Sequence, residues 1–233
     1  AFWSLFSVLF YVFIYTIWLK RRTPQNIVIG GIAGSTPPVI GWIVAASVNI
    51  PDNMNPFDLG SPIPWMLFML IFAWTPPHFW ALALYRSGEY GKVGIPMLPD
   101  VKGAERTLKE SKFYCILLFL IGSVPCFWPE YGLPLAWAFI SGFLTLWYSI
   151  SVWKIDPNEE LDANGRMPLA FASFMRSLGY LAWMFISFVY IVAVPNEYIW
   201  HYTAAFIVAV PLVNKLAVNW KDSNKNRKVL NAE

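Results

Sequence analysis

The chain is a succession of long apolar runs separated by short polar connections. A helix that crosses a bilayer needs roughly 20 mostly apolar residues. Seven runs approach that length: Phe2–Leu19, Asn26–Ile50, Pro64–Tyr85, Phe113–Trp128, Leu133–Val152, Leu169–Val194 and Tyr198–Leu216. The fourth is short, which leaves room for its helix to begin within the preceding loop. The seventh is interrupted by Pro211 and Asn214. Hydrocarbon offers the backbone no hydrogen-bond partner, so such runs are read as helices. The expected fold is all-α: a polytopic transmembrane bundle of about seven spans.

The connections test that count. The first carries Lys20, Arg21 and Arg22, and the third carries Arg86, Lys92, Lys102, Arg106, Lys109 and Lys112. The fifth carries Lys154 and Arg166, with Arg176 just inside the next run. The tail carries Lys215, Lys221, Lys225, Arg227 and Lys228. The second, fourth and sixth connections hold Asp52, Asp58, Glu130 and Glu197 and no base. All 17 Lys and Arg residues thus fall on alternate connections. The positive-inside rule makes that side cytoplasmic. A wrong span count would have scrambled the alternation, so the rule supports the seventh span too. The sequence reads as a membrane domain over 1–220 and a basic cytoplasmic tail over 221–233.

Composition agrees. The 233 residues are 57% hydrophobic, 18% aromatic and 13% charged. Soluble domains carry about 25% charged and about 45–50% apolar residues. A net charge of +3 gives no reason to expect a nucleic-acid partner. Cys115 and Cys126 form no metal-ligand spacing and read as small core residues. The chain opens at Ala1 with no initiator Met, charged n-region or small-residue cleavage site, so it is not read as a signal peptide but as a piece cut within a helix.

Candidate chemistry concentrates at the cytoplasmic ends. The second run holds Gly30, Gly31, Gly34, Pro37, Pro38 and Gly41, a pattern of close helix approach and a broken ladder. It fits a packing kink and a cavity wall equally. The third run ends Trp74-Thr75-Pro76-Pro77-His78-Phe79-Trp80, where two prolines are expected to distort the helix beside an ionisable group. An ionisable residue within the membrane is a functional-site hypothesis by default. The loop from Arg86 to Lys112 then offers Arg86, Glu89, Tyr90, Lys92, Lys102 and Arg106. Asn26 and Lys20–Arg22 lie on the same side. Together these groups can hold an anionic head group at the mouth of an apolar cavity. Arg176 is expected to snorkel, and Asp156, Glu159, Glu160 and Asp162 to form a solvated loop. Residue pattern alone leaves a lipid-active enzyme and a transporter both open.

Longer motifs narrow the choice. The stretch from Leu19 through Lys20-Arg21-Arg22-Thr23-Pro24-Gln25-Asn26 to Gly30-Gly31-Ile32-Ala33-Gly34, with Pro37-Pro38-Val39-Ile40-Gly41-Trp42, resembles the fourth-to-fifth span region of the protohaem IX farnesyltransferases, or haem O synthases. This is one branch of the UbiA-type prenyltransferases. Trp74-Thr75-Pro76-Pro77-His78-Phe79-Trp80-Ala81-Leu82-Ala83 resembles that family's sixth span. Glu89-Tyr90, then Gly94-Ile95-Pro96-Met97-Leu98-Pro99 and Lys102-Gly103, resembles its sixth-to-seventh loop. The likeness covers Phe2 to Val194.

The resemblance implies nine helices around a lipid-facing cavity, of which the first three are missing here. It implies farnesyl diphosphate, haem B as acceptor substrate and Mg²⁺, with haem O as product for haem-copper oxidases. A haem A synthase or a terminal oxidase is the implied partner, and the plasma or inner membrane the implied location. By position, His78, Glu89 and Tyr90 are the implied catalytic residues. Asn26, Lys20, Arg21, Arg86 and Lys102 are the implied substrate-binding residues, Arg86 and Lys102 for the diphosphate. Glu89 is the implied Mg²⁺ ligand, although the family usually has Asp there, and His78 is expected to face haem or substrate. The family's first Asp-rich motif lies in the missing spans, so the piece alone is expected to be inactive. Two alternatives stand beside this reading: a sister prenyltransferase acting on a quinone or chlorophyll precursor, and a transporter or haem-handling assembly factor.

The charge alternation makes a topological prediction. Single cysteines introduced at Ser87 and Asn164 should react with an impermeant maleimide only after the cytoplasmic side is opened. Those at Gly60 and Glu130 should react in intact cells. The reverse pattern would invert the assigned orientation.

Overall fold

The computed structural model of the chain describes residues 1–46 and 55–193, together with residues 200, 203, 207, 209 and 210. Among these, every regular element is helical. Helix α1 (Phe2–Leu9) runs directly into a π-helical stretch, Phe10–Leu19. Then come α2 (Asn26–Gly34), α3 (Pro37–Ala46), α4 (Ile63–Tyr85) and the single-turn α5 (Glu89–Lys92). Helices α6 (Leu98–Ser123), α7 (Leu135–Trp153) and α8 (Pro168–Ala193) complete the order. Six segments are long and apolar enough to cross a membrane: Phe2–Leu19, Asn26–Ala46, Ile63–Tyr85, Leu98–Phe127, Leu135–Trp153 and Pro168–Ala193. The chain is a multi-pass membrane protein. The seventh expected span and the basic tail lie outside the described residues, apart from the five isolated positions named above.

Helices α4, α6, α7 and α8 close into a four-helix bundle, each packed on two neighbours in turn. Its core includes Leu70, Leu118, Trp137, Ile140, Leu144, Tyr148, Tyr180 and Met184. Helices α2 and α3 lie on the outer side of α4, and the first span lies against α2 and α3. Trp3 Nε1 donates to Pro56 O at 2.7 Å and Trp42 Nε1 donates to Leu59 O at 3.1 Å, fixing the connection opposite the basic side.

The glycine–proline segment breaks where the sequence said it would. Helix α2 ends at Gly34, and Pro37 opens α3 with no lost donor, since a first-turn N–H has no intrahelical partner. Hydroxyls fill in at the break. Ser35 Oγ donates to Gly31 O at 2.7 Å, Thr36 Oγ1 to Ala33 O at 2.9 Å, and Ser7 Oγ to Ala33 O at 3.0 Å.

Two expectations need correcting. Helix α4 stays continuous through Pro76 and Pro77, so His78 does not adjoin a helix break. Fifteen of its 23 residues are buried, and that enclosure holds the helical path although two N–H donors are gone. Second, Leu98–Lys112 is not a loop: the helix of the fourth span begins at Leu98, within the preceding connection as the shortness of its apolar run left room for, with a kink at Gly103 (φ 80°). Lys102, Arg106, Lys109 and Lys112 are therefore helical residues. Their charge had masked the helix from a reading based on apolar runs.

The acidic stretch after α7 is structured. Asp156 Oδ1 accepts from Asn158 N at 2.9 Å, and Glu159 Oε2 accepts from Leu169 N at 3.0 Å, in the first turn of α8. Arg176 places its guanidinium 5.4 Å from the Trp147 ring centroid, so its charge is met by an aromatic face.

Small residues set the bundle's close approaches. A β-carbon on Gly122 would lie 3.4 Å from Ser141 Cβ and 3.5 Å from Met184 Cε. Gly122→Leu should therefore overpack α6 against α7 and α8, at about 1–3 kcal/mol. A lower thermal midpoint in detergent than for Gly122→Ala is the expected result.

Candidate functional site

The basic end of α4 turns sharply. Gly88 takes φ 76°, a conformation side chains resist, and its N–H donates to Asp100 Oδ1 at 3.1 Å. That turn sets Glu89 and Tyr90 at the start of α5. Glu89 lies between two guanidiniums: its Oε1 accepts from Arg166 Nη2 at 2.8 Å, and its Oε2 is 3.8 Å from Arg86 Nη1. The three side chains are 36–49% exposed, so the cluster is open to water. Tyr85 completes it. Its hydroxyl is 3.4 Å from Arg166 Nη1, and its ring lies 5.1 Å from the guanidinium carbon.

Asn26 clamps two connections together. It is fully buried, and its Nδ2 donates to Thr23 O at 2.7 Å and Pro96 O at 3.3 Å, with Lys20 O at 3.4 Å. Its Oδ1 is buried with no partner. Next to it, Ile27, Ala83 and Met97 pack as a small cluster with Tyr90 and Ile95 against them. Partial burial pushes the Tyr90 phenol above its ordinary pKa, and the Arg86 charge opposes that rise. The Lys20 ammonium sits 5.7 Å from the Tyr15 ring centroid. Lys20, Asn26, Arg86, Glu89 and Tyr90 therefore share one end of the molecule.

An apolar groove opens at that end. Tyr11, Tyr15, Ile27, Gly30, Gly31, Gly34, Ile71, Trp74, Thr75 and Phe79 line about 370 Å³ between the first two spans and α4. Tyr15 and Ile27 connect it to the charged end through Lys20 and Tyr90. Two glycines shape it differently. A β-carbon on Gly30 would run into the Tyr15 ring, whereas one on Gly34 would meet nothing within 4 Å.

His78 is placed apart from the charged cluster. It is buried in the α4–α8 seam, stacked between Trp74 (4.2 Å between centroids) and Phe174 (4.7 Å). Its Nδ1 is 2.6 Å from Ser177 Oγ. Ser177 gives its one proton to Phe174 O at 2.6 Å, so Nδ1 is the donor to Ser177. Its link to the groove is Trp74, which lines that groove and stacks on its ring. Lys102 and Arg21 are exposed, and among the described residues no contact ties either to the cluster.

A cation shell is not complete here. Among the described residues no group of three His, Cys, Asp or Glu side chains could hold a metal ion. Glu89 is engaged by two arginines, and Asp100 by Gly88. These residues do not by themselves fit a Mg²⁺ site.

Sequence reasoning missed Arg166 and Tyr15. Arg166 was covered by the positive-inside rule, which accounts for any base on that side. Tyr15 stood in an apolar run with nothing to mark it from its neighbours. The only available signal for Arg166 was its company: Asp162, Asn164 and Gly165 make a turn-forming stretch around it.

The UbiA prenyltransferase family matches residues 1–178. The curated "Protoheme IX farnesyltransferase" of Bartonella tribocorum is 41% identical over 186 residues, 79% of this chain and 55% of that protein. Its namesake from Parvibaculum lavamentivorans is 46% identical over 161 residues, 67% of this chain and 46% of that protein. That of Methylocella silvestris is 50% identical over 133 residues, 55% and 38% of the two chains. The chain thus spans about half the length of the curated relatives it matches. No solved structure matches it. With the family matched over residues 1–178 of 233, and a helical bundle bearing an apolar groove under a charged mouth, this chain belongs to the UbiA prenyltransferase family.

Proposed function

We propose that the full-length protein transfers the farnesyl group of farnesyl diphosphate to a vinyl group of haem B, giving haem O. The observation that carries this reading is the groove: about 370 Å³, walled by Tyr11, Tyr15, Trp74 and Phe79, joined at one end to Lys20 and Tyr90. The name of the relatives supplies the acceptor.

The chemistry suits the two environments. The allylic C–O bond breaks with its electron pair on the departing diphosphate, whose growing charge is met by cations. Lys20, Arg86 and Arg166 bring such charge to the mouth. The allylic cation needs a water-poor wall, which the groove's apolar and aromatic residues provide. The vinyl π electrons form the new C–C bond. Water captures the resulting cation beside the ring and loses a proton, leaving a hydroxyethylfarnesyl substituent. Asn26 sets the two cytoplasmic connections, Tyr90 links groove to mouth, and Lys102 and Arg21 enter only as distant charge. His78 stiffens the wall through Trp74.

Mg²⁺ belongs to this reading through the resemblance, and the described residues offer it at most Glu89, after exchange with its arginines. No step is assigned to it here. The same reading takes 1–220 as part of the membrane domain and 221–233 as a cytoplasmic tail. It places the protein in the inner membrane, with its product passing to a haem A synthase or a terminal oxidase.

The test uses the full-length protein in a membrane lacking its own haem O synthase. Extracted haems should include one carrying a hydroxyethylfarnesyl group, detected by chromatography with mass detection. Only haem B, from well-expressed folded protein, would overturn the haem reading and direct attention to quinone precursors. A second prediction concerns Gly34. Gly34→Leu, whose β-carbon would meet nothing within 4 Å, should narrow the groove, raising KM for farnesyl diphosphate about tenfold while geranyl diphosphate is used nearly as before. Equal loss with both donors would show that Gly34 does not bound the prenyl chain.

A further inference from the structure

Arg166 is held with more care than its location requires. It lies two residues before α8, on a connection 77 positions away from Glu89 in sequence. Asp162 builds the turn that presents it. Asp162 Oδ1 accepts from Asn164 N at 2.8 Å and from Arg166 N at 3.0 Å. Asp162 N donates to Arg166 O, and Gly165 N to Asp162 O, both at 2.8 Å, with Gly165 at φ 70°. The backbone of Arg166 is thus fixed on both sides of its Cα.

Its side chain is aimed as well. One arm of the fork meets Glu89 Oε1 at 2.8 Å and the other meets the Tyr85 hydroxyl at 3.4 Å, with the Tyr85 ring beneath the plane. An exposed ion pair of this kind contributes little to stability. A staple between two connections therefore explains the contact poorly as an end in itself. The arrangement does explain something else. One carboxylate, Glu89, is shared by Arg86 and Arg166 and all three are open to water, while Asp100, the other carboxylate near Tyr90, accepts from Gly88 N and pairs with neither arginine. A guanidinium fork matches phosphate or carboxylate oxygens two at a time. An incoming oxyanion with more charge than Glu89 would compete for both arginines.

We propose that Arg166 is a binding residue for an oxyanion of the substrate, the diphosphate of the prenyl donor or a propionate of the tetrapyrrole, with Glu89 holding its fork in place until that group arrives. This rests on the function proposed above. It adds a third cation, from the α7–α8 connection, to Lys20 and Arg86 of the first and third connections.

The test compares R166Q and R166K in the full-length protein in nanodiscs. Three quantities are measured: KM for farnesyl diphosphate, KM for haem B, and the thermal stabilisation given by inorganic pyrophosphate. R166Q should raise KM for farnesyl diphosphate at least tenfold, leave KM for haem B within twofold, and shift the pyrophosphate midpoint at least tenfold. R166K should restore only part of each. If the propionate is the group bound, KM for haem B rises instead, and wild type and variant become alike with haem dimethyl ester. In an E89Q background R166Q should still weaken binding, which a residue acting only through Glu89 would not do. Both KM values within twofold of wild type and an unmoved pyrophosphate midpoint would overturn the proposal. Should R166Q fail to fold, R166K decides alone, and wild-type constants in R166K would overturn it. If the wild type makes no haem O, the function falls, and the pyrophosphate measurement still decides on Arg166.

Discussion

Inside a bilayer, an apolar side chain gains little by exchanging lipid for a neighbouring helix. Cohesion has to come from close packing and from polar groups that find partners between helices. The bundle follows this constraint rung by rung. Ser123 and Ser141 join α6 to α7 at 3.2 Å, and Ser151 and Ser173 join α7 to α8 at 3.1 Å. Thr145 reaches the Tyr180 hydroxyl at 3.3 Å. Trp74 Nε1 donates to Ser177 O at 2.9 Å, and His78 meets Ser177 Oγ at 2.6 Å, so α4 is tied to α8 twice within one turn. Gly122 and Gly142 let those hydroxyls approach. The same requirement places Ser7, Ser35 and Thr36 at the α2–α3 break, where carbonyls would otherwise lack donors.

Helix α4 inherits two tasks from this. One side is locked into the four-helix bundle, and another forms a wall of the groove through Ile71, Trp74, Thr75 and Phe79. Trp74 takes part in both: its indole is bonded to α8 while it lines the groove. A groove wall fixed in this way resists collapse when empty. The opposite wall is looser by construction, since the first span rests on α2 and α3, and these reach the bundle chiefly through α4.

The sequence made much of this legible, for a physical reason. Span lengths, the alternation of bases and the break at Pro37-Pro38 all follow from the cost of leaving backbone groups and charges in hydrocarbon. What remained hidden depends on partners far away in the chain. Pro76 and Pro77 look like a break until the burial around them is known. Leu98–Lys112 looks like a loop because its helix carries charge where it leaves the apolar layer. The bond of His78 to Ser177 was hidden because the two lie 99 positions apart. Of the expected site residues, Lys20, Asn26, Arg86, Glu89 and Tyr90 come together, since three connections meet at one end. Arg21, on the first connection, and Lys102, in the first turns of α6, make no such contact among the described residues, and position along the chain cannot distinguish those two outcomes.

The charges at the mouth carry the remaining step of the argument. Its described cations, Lys20, Arg86 and Arg166, come from three separate connections, while its carboxylates, Glu89 and Asp100, are both already engaged. Under the proposed reaction, an end so arranged receives anionic oxygens more readily than a bare divalent cation. The diphosphate then has two kinds of partner. The arginines here take its oxygens by their forks, and a divalent cation needs its hard oxygen ligands from residues outside those described. Such a division has a chemical use. Fixed guanidiniums stay in place when the leaving group departs, so stabilisation of the growing charge costs no reorganisation at the moment the C–O bond breaks. Placing that charge at the water-facing end, with the allylic carbon down in the aromatic groove, separates the two ions as they form. It also keeps water from the cation until the vinyl group has attacked.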